Sequence, residues 1–485
     1  MNKPILIGSV LLLTLLSCQP GGELFENALC IQNITIIDPI DGLKENQTLV
    51  IKDGKIHRVA PSAELKLSDQ NTIIDGTGKY LIPGLWDTHV HFSYMEELAP
   101  RMLDLFLAYG ITSVRDTGGD INFVNQWKQK ALSNPTGAPR VMIAGPLLDG
   151  LPNVYDGSDP GHPPLSVGLG TVADVQDQIE LLDSMDVDLL KAYEMLTPEQ
   201  FATVTKMARE KGLKVTGHVP LSMDVISASN AGLNSMEHMR NLEISCASNW
   251  EALLQQRRDM LFSGRTDKGG ILRSRIHAAQ RPIAIENYDE GRANEVLGVL
   301  ATNETWQIPT LTLATNVTER PFAEVQYQES FKYLPENVEN QWKQNIEDFV
   351  NTRQPTEFQL EYTTWFRNMV GKVHVAGIDI MAGTDCPIFF LTPGRSLHQE
   401  LVVLVNAGLS PLDALKTATY NPARYFNMEN ELGTIKENHW ADLLILDANP
   451  LENIDHTRQI NAVIKQGNYM DRARLDEMLA ELDKL

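Results

Sequence analysis

Apolar and polar positions change rhythm along the chain. From Ala28 to Ile82 they follow the short, two-residue alternation of half-buried strands, at Ile34–Asp38, Gln47–Lys52 and Lys55–Ala60. The last two flank Asp53-Gly54, a dipeptide that closes tight hairpins because both positions accept positive φ. The far end repeats this rhythm at Ala441–Leu446 and Ile460–Lys465, with Gly467 ending the run. Strand-rich segments at both ends predict one small composite β-sandwich built from residues 28–82 and 431–470.

The middle, residues 83–430, reads differently. Apolar runs that suit strands buried on both faces lie at Gly84–His91, Ile111–Thr117, Arg140–Gly145, Val187–Tyr193, Leu213–Val219, Asn234–His238, Thr305–Leu313 and Gly377–Asp385. Helical periodicity falls between many of them, at Met95–Tyr109, Phe123–Leu132, Val172–Met185, Pro198–Lys211 and Met223–Ala231. Thr197-Pro198 is a helix start, Glu199 sits in the first turn, and Gly212 ends that helix. Eight strand–helix repeats predict an α/β fold, a (β/α)8 TIM barrel. Its excess over the roughly 250 residues usual for that fold lies near 246–303 and 316–372, polar and helix-prone stretches expected as insertions over the barrel mouth.

The first residues read as an address. Lys3 precedes an apolar run from Ile5 to Leu16, too short for a comfortable transmembrane helix, and Ser17 and Cys18 follow. Leu15-Leu16-Ser17-Cys18 resembles a bacterial lipobox. That resemblance implies a signal peptide over 1–18, a lipid on Cys18, a flexible tether over 19–27, and an exported protein, periplasmic or at the cell surface, whose membrane contact is that lipid alone. The alternative is a plain secretory signal with an incidental cysteine.

Composition narrows the class. The 485 residues are 43% hydrophobic and 21% charged, which excludes a largely disordered chain, a collagen-like repeat and a polytopic membrane protein. A net charge of −22 without a basic stripe argues against a nucleic-acid partner. Four scattered cysteines are too few for a disulfide framework or a zinc ribbon. A small molecule or short peptide is the expected partner, and a homo-oligomer stays open.

Candidate chemistry gathers at the carboxyl ends of the expected strands. His89 and His91 are two apart on one strand, so both rings face one way. Lys191, His218, His238 and Asp385 each stand at or near the end of a different strand, and in a barrel those ends form the active-site mouth. Buried ionisable groups are costly unless paired or bound to metal. Four imidazoles and a carboxylate suit zinc, with manganese or iron as alternatives. The bland reading is a rim of satisfied polar residues. Lys191 cannot ligate as an ammonium: burial would free its amine to take up carbon dioxide as a carbamate, or it is a plain ion-pair partner.

In that order, His89-x-His91, Lys191, His218, His238 and Asp385 resemble the amidohydrolase superfamily. Leu81-Ile82-Pro83-Gly84-Leu85-Trp86-Asp87-Thr88-His89 is similar to its entry into the first barrel strand. Leu432-Gly433-Thr434-Ile435, followed by Ala441-Asp442-Leu443-Leu444, is similar to its exit into the sandwich. The nearest branches are the imidazolonepropionase-like and prolidase-like ones. The resemblance implies two divalent metal ions, expected as zinc, with His89, His91 and Asp385 on one, His218 and His238 on the other, and carbamylated Lys191 bridging them. It further implies hydrolysis of an amide C–N bond by a metal-bridging hydroxide, with Asp385 as the catalytic proton acceptor and donor.

Substrate contacts are less legible. Tyr193, Arg240 and His162 are the candidates, against the readings of Tyr193 as packing and Arg240 as an ordinary surface arginine. Asp116 is expected to orient neighbouring groups or to be an ordinary strand-end carboxylate, and His398 to be a packing histidine. His57, His277, His374, His439 and His456 carry no readable signal. A dipeptidase-like or N-acyl amino acid hydrolase is the leading reading. Alternatives are a hydrolase of a cyclic amide, lactone or phosphoester, and a non-catalytic tethered binding lipoprotein.

Overall fold

Strands from the two ends of the chain pair with one another. In the computed structural model, which describes residues 25–158 and 161–482, β1 (Leu29–Asp38), β2 (Gly42–Lys52), β3 (Lys55–Pro61), β4 (Thr72–Asp75) and β5 (Tyr80–Pro83) come from the first part of the chain. β1 lies antiparallel to β2 and parallel to β4 and β5. The expected signal peptide, the expected lipidation site Cys18 and most of the expected tether lie outside the described residues. Asp53 (φ 50°) and Gly54 (φ 78°) both take the left-handed conformation that the β2–β3 hairpin needs.

The body follows with β6 (Leu85–Val90), β7 (Ile111–Asp116), β8 (Arg140–Ile143), β9 (Leu147–Asp149), β10 (Ser166–Gly168), β11 (Leu189–Ala192), β12 (Lys214–Gly217), β13 (Ser235–Glu237) and β14 (Trp306–Ile308). The chain then returns to the first sheet as β15 (Leu443–Leu446), β16 (Ile460–Lys465) and β17 (Asn468–Asp471), with β15 antiparallel to β5. β16 ends at Lys465, as expected, and the turn Gln466-Gly467 carries the chain on into a further strand, β17.

Strand alternation divides this sheet between two cores. Ile34, Ile36, Leu49, Ile51, Leu443, Ile445, Ala462 and Ile464 form a core of the sheet's own. Ile37, Ile82, Leu444, Leu446 and Val463 join the large core of the body. Burying each such aliphatic side chain stabilises by about 1.5–3 kcal/mol, which binds the two halves of the sheet to each other and to the body.

The body is a mixed α/β unit of parallel strands and helices. β6, β7 and β8 form one parallel sheet, and β10, β9, β11, β12, β13 and β14 form another in that order. These ladders do not close into a ring. Between β8 and β11 the link is the Asp188 N–H to the Ile143 carbonyl (2.9 Å), with the Asp188 carboxylate accepting from Ile143 N–H at 2.8 Å. The eighth expected strand, 377–385, makes a single isolated bridge, Ile380 with Gln307, and Cys386 just beyond it bridges Val90. β10 falls at the end of the stretch 157–168, whose Pro/Gly content reads as loop, and β9 lies before it, beyond the expected strand Arg140–Gly145.

Helices Ala99–Ala108, Ile121–Ser133, Val172–Ser184, Pro198–Lys211 and Val225–Asn230 occupy the periodic segments. Thr197 caps its helix by accepting from Gln200 N–H at 3.2 Å, and Gly212 (φ 73°) ends it. Residues 246–303 fold as Trp250–Ser263, Gly269–Glu286 and Glu290–Thr302. The 316–372 stretch carries Glu336–Thr352 and most of Glu357–Val375. Cys30, Cys246 and Cys386 are buried and free. Among the described residues, no helix is long and apolar enough to cross a membrane.

Candidate metal centre

Four imidazoles stand at strand ends with Nδ1 engaged. His89 Nδ1 is 2.6 Å from Glu237 Oε2, and His91 Nδ1 is 3.0 Å from the Gly118 carbonyl. His218 Nδ1 is 2.6 Å from Glu194 Oε1, and His238 Nδ1 is 2.6 Å from Thr310 Oγ1. Carboxylates and carbonyls only accept, and the Thr310 hydroxyl gives its own proton to the Pro309 carbonyl at 2.7 Å. Nδ1 is therefore the protonated nitrogen of each neutral ring, which leaves the Nε2 lone pairs for the interior. Metal-ligating histidines are oriented in this way.

Asp385 meets those lone pairs. Its Oδ1 lies 3.0 Å from His91 Nε2 and 3.3 Å from His89 Nε2, and its Oδ2 lies 3.5 Å from His238 Nε2. The Nε2 atoms of His89 and His91 are themselves 3.3 Å apart. Acceptors packed this tightly repel unless protons or a cation sit among them. Burial holds His238 far below the usual imidazole range and pushes His218 down to about 3, whereas at His91 the Asp385 carboxylate outweighs burial and raises the pKa, so protons do not satisfy all the rings at once. Asp385 Oδ1 is buried without a hydrogen bond, and His89, His91 and Asp385 offer ligand atoms within 4.8 Å of one another. The donor set fits a divalent metal.

Lys191, in β11, is 1% exposed, and burial pushes its pKa down to about 8. Its register partner on β12 is Thr216, whose hydroxyl donates to Glu237. Burial alone would raise the Glu237 carboxyl, but the charges of Arg115 and Lys191 hold it well below the usual range. Gly217 permits the close approach of β11 and β12: a Cβ there would stand 2.2 Å from the Ala192 carbonyl oxygen. Left-handed backbone at His238 (φ 55°), Thr310 (φ 46°) and Asp385 (φ 68°) marks the strand ends where these side chains are aimed, a strain that clusters at functional sites.

A cavity of about 100 Å³ is lined by His89, His91, Lys191, His218, His238 and Asp385 together. Tyr193 and Arg240 also line it. Arg240 is not a free surface arginine, since its Nε lies 3.7 Å from Glu194 Oε1. Tyr193 packs on His218 at 4.3 Å between ring centroids. His162 stands off the lining, with its ring 5.5 Å from that of Tyr155. Asp116 accepts from Phe92 N–H at 2.7 Å and Gly118 N–H at 3.0 Å, and so steadies the residue that receives the His91 ring proton. His398 is satisfied by Thr457 and the Tyr109 carbonyl, each at 2.9 Å.

Sequence reasoning missed four residues here. Glu237 and Glu194 orient His89 and His218, and the legible signal was a carboxylate inside or just beyond an apolar strand. His277 Nε2 lies 2.8 Å from Glu194 Oε2, and Arg273 Nη1 donates to the Tyr193 hydroxyl at 3.2 Å and lines the cavity. Both sit on helix Gly269–Glu286, far from the strands in sequence, and nothing local betrays them. None of the 316–372 stretch lines this cavity, so among the described residues only the first of the two expected insertions reaches it.

Comparison with known proteins agrees with this geometry. The amidohydrolase family model matches residues 357–470. A dihydroorotase from Streptococcus pneumoniae is 22% identical over 437 residues, 87% of this chain and 90% of that protein. An imidazolonepropionase from Rubrobacter xylanophilus is 34% identical over 106 residues, 20% of this chain and 24% of that protein. The chain spans only 14% to 34% of the length of other curated relatives it matches. In fold it is similar to a solved Xaa-Pro dipeptidase with methionine bound in its active site, with a TM-score of 0.66 at 18% identity over 92% of this chain and 100% of that one. In part of its sequence and in its fold, the chain is similar to proteins of the amidohydrolase superfamily.

Proposed function

We propose that this protein is a metal-dependent hydrolase of amide C–N bonds, on a (β/α)8 barrel whose two seams are joined by extended chain, beside a composite β-sandwich. The observation that carries the reading is the set of four Nδ1-anchored imidazoles presenting Nε2 into one cavity with Asp385 and Lys191. His89, His91 and Asp385 would hold one divalent ion, expected as zinc, and His218 and His238 a second, with Lys191 as a carbamate between them. Forming that carbamate joins the neutral Lys191 amine to carbon dioxide and releases one proton. Bound ions would acidify water and polarise the scissile carbonyl.

The chain's own residues supply the rest. Asp385 takes the proton of the attacking water and returns it to the leaving nitrogen. Arg240 and Arg273, with the Tyr193 hydroxyl, face the cavity as donors for a substrate carboxylate, which favours a dipeptide or N-acyl amino acid. Export and anchoring through a lipid on Cys18 belong to the same reading and rest on the lipobox-like Leu15–Cys18. Fatty-acid labelling of the full chain in a bacterial host tests that part.

The experiment for activity is a panel of dipeptides, N-acyl amino acids, lactones and phosphotriesters offered to protein purified without chelator. Turnover of the first two classes with bound metal is expected. Hydrolysis of lactones or phosphotriesters alone would overturn the amide assignment, and near-zero metal content without turnover would favour a binding protein.

A further inference from the structure

Away from the metal centre lies a second cavity of about 440 Å³. Helix Ala99–Ala108 ends there, the 3-10 turn Glu329–Tyr333 crosses it, and helix Arg395–Asn406 and the turn Ile454–Arg458 complete it. Four arginines of the described chain are deeply buried, and three have partners. Arg115 donates to Glu237, Arg257 to the Gln280 side-chain Oε1, and Arg101 to the backbone carbonyls of Tyr333 and Leu334. Arg395 is the exception. It is 7% exposed and lies 4.5 Å over the Tyr327 ring, its Nη1 is buried without a hydrogen bond, and among the described residues no carboxylate lies within ion-pair distance of it.

A buried guanidinium without an anion is costly, and stacking on an aromatic face only partly offsets the lost water. The lining around it adds Arg458 and Lys332, against Asp455 and Glu329. Arg458 is paired with Asp455, while Lys332 lies over the Tyr333 ring and Arg395 over the Tyr327 ring, so among the described residues Arg395 is the deeply buried cation of this lining with no counter-charge. In a chain of net charge −22, a cavity lined by three cations and two carboxylates is a local reversal of sign.

We propose that this cavity binds a small organic oxyanion, a carboxylate or a phosphate, with Arg395 as its buried anchor and Arg458 and Lys332 at its rim. The guanidinium presents a planar set of donors that matches either group. The anion restores charge balance at Arg395, and its organic part has room beside Tyr109 and Tyr333. The walls come from the body and from the C-terminal return to the sheet, so a bound ligand joins the two. The site is independent of the amide hydrolase reading.

Titration calorimetry and thermal unfolding of the whole protein with succinate and with glycerol 3-phosphate test this, against sodium chloride at matched ionic strength. Saturable binding and a raised Tm are expected. Arg395→Met, which keeps the contact with Tyr327, should weaken binding at least tenfold, and Arg458→Gln at the rim severalfold. The tighter of the two probes identifies the anionic group. No saturable binding of either probe, or equal affinity in Arg395→Met, as for an anion held at the metal centre, would overturn the proposal. Should Arg395→Met fail to fold, unchanged affinity in Arg458→Gln would overturn it as well.

Discussion

Glu237 Oε2 lies 2.6 Å from His89 Nδ1, while its Oε1 accepts from Arg115 Nη2 at 2.7 Å. One buried anion therefore aims a metal-facing ring and neutralises a buried cation. Glu237→Gln should loosen the ring's orientation and leave Arg115 without its counter-charge. Metal affinity, read by chelator competition, should fall about 10–100-fold, and thermal stability should fall with it. Unchanged affinity would show that His89 is aimed by packing alone.

Lys191 lines the same cavity as all four imidazoles. Lys191→Ala should reduce metal stoichiometry, measured by elemental analysis, from two ions to one or fewer and should abolish turnover. A variant that keeps two ions and the full rate would refute the bridging role.

Arg273 reaches the cavity from helix Gly269–Glu286 and donates to Tyr193. Arg273→Met should raise KM by about 10–100-fold for substrates with a free carboxylate, as expected for loss of a charge-assisted pair. The same substrates with that carboxylate amidated should show no such change. An equal effect on both would mean that Arg273 shapes the cavity rather than reading charge.

Gly217 sits between the two halves of the site. Gly217→Ala would drive a methyl against the Ala192 carbonyl and push β12 away from β11. A loss of about 2–4 kcal/mol in unfolding free energy is expected for a backbone clash of this kind. Metal occupancy should decline too, since Lys191 and His218 sit on the two displaced strands.

Glu400 offers a test by pH. Its buried carboxylate accepts from the N–H groups of Leu311 and Thr312 at 2.9 and 2.7 Å, and burial raises its pKa from the ordinary 4.5 to about 7. Between those values the folded protein holds this proton more tightly than the unfolded chain, so the group's contribution to stability falls as pH rises from about 4.5 to 7 and is level above that. Glu400→Gln cannot titrate. The stability difference between wild type and variant should therefore drift by up to about 3 kcal/mol across that window, measured by denaturation at pH 5, 6, 7 and 8. A flat difference would place the carboxyl in a more polar environment.

Strand ends and their ionisable residues were readable because a strand's period is short and its alternation depends on neighbours alone. His89-x-His91 and the polar residues closing Lys214–Gly217 and Ser235–Glu237 announce themselves in a single line of sequence. Even so, the eighth strand was over-read. Residues 377–385 look apolar and extended, but beside His89 and Gln307 the chain bends to aim Asp385, with φ at 68°, and gives up a regular ladder. β9 and β10 were under-read, because each is only three residues long, β10 ends a Pro/Gly-rich stretch that signals a loop, and what makes them strands is their pairing with each other across the intervening chain.

Sequence alone determined the alternation of strands and helices through most of the body, the donors at the strand ends and the strand-rich character of both ends of the chain, since each depends on local period and residue type. Tertiary structure decided which nitrogen each imidazole presents, through partners as distant as Glu237 for His89 and Thr310 for His238. It also decided that Arg273 and His277 enter the site and that His162 stays off its lining. Those outcomes depend on how a helix packs over a strand end, and contacts between residues dozens of positions apart leave no periodic trace in the chain.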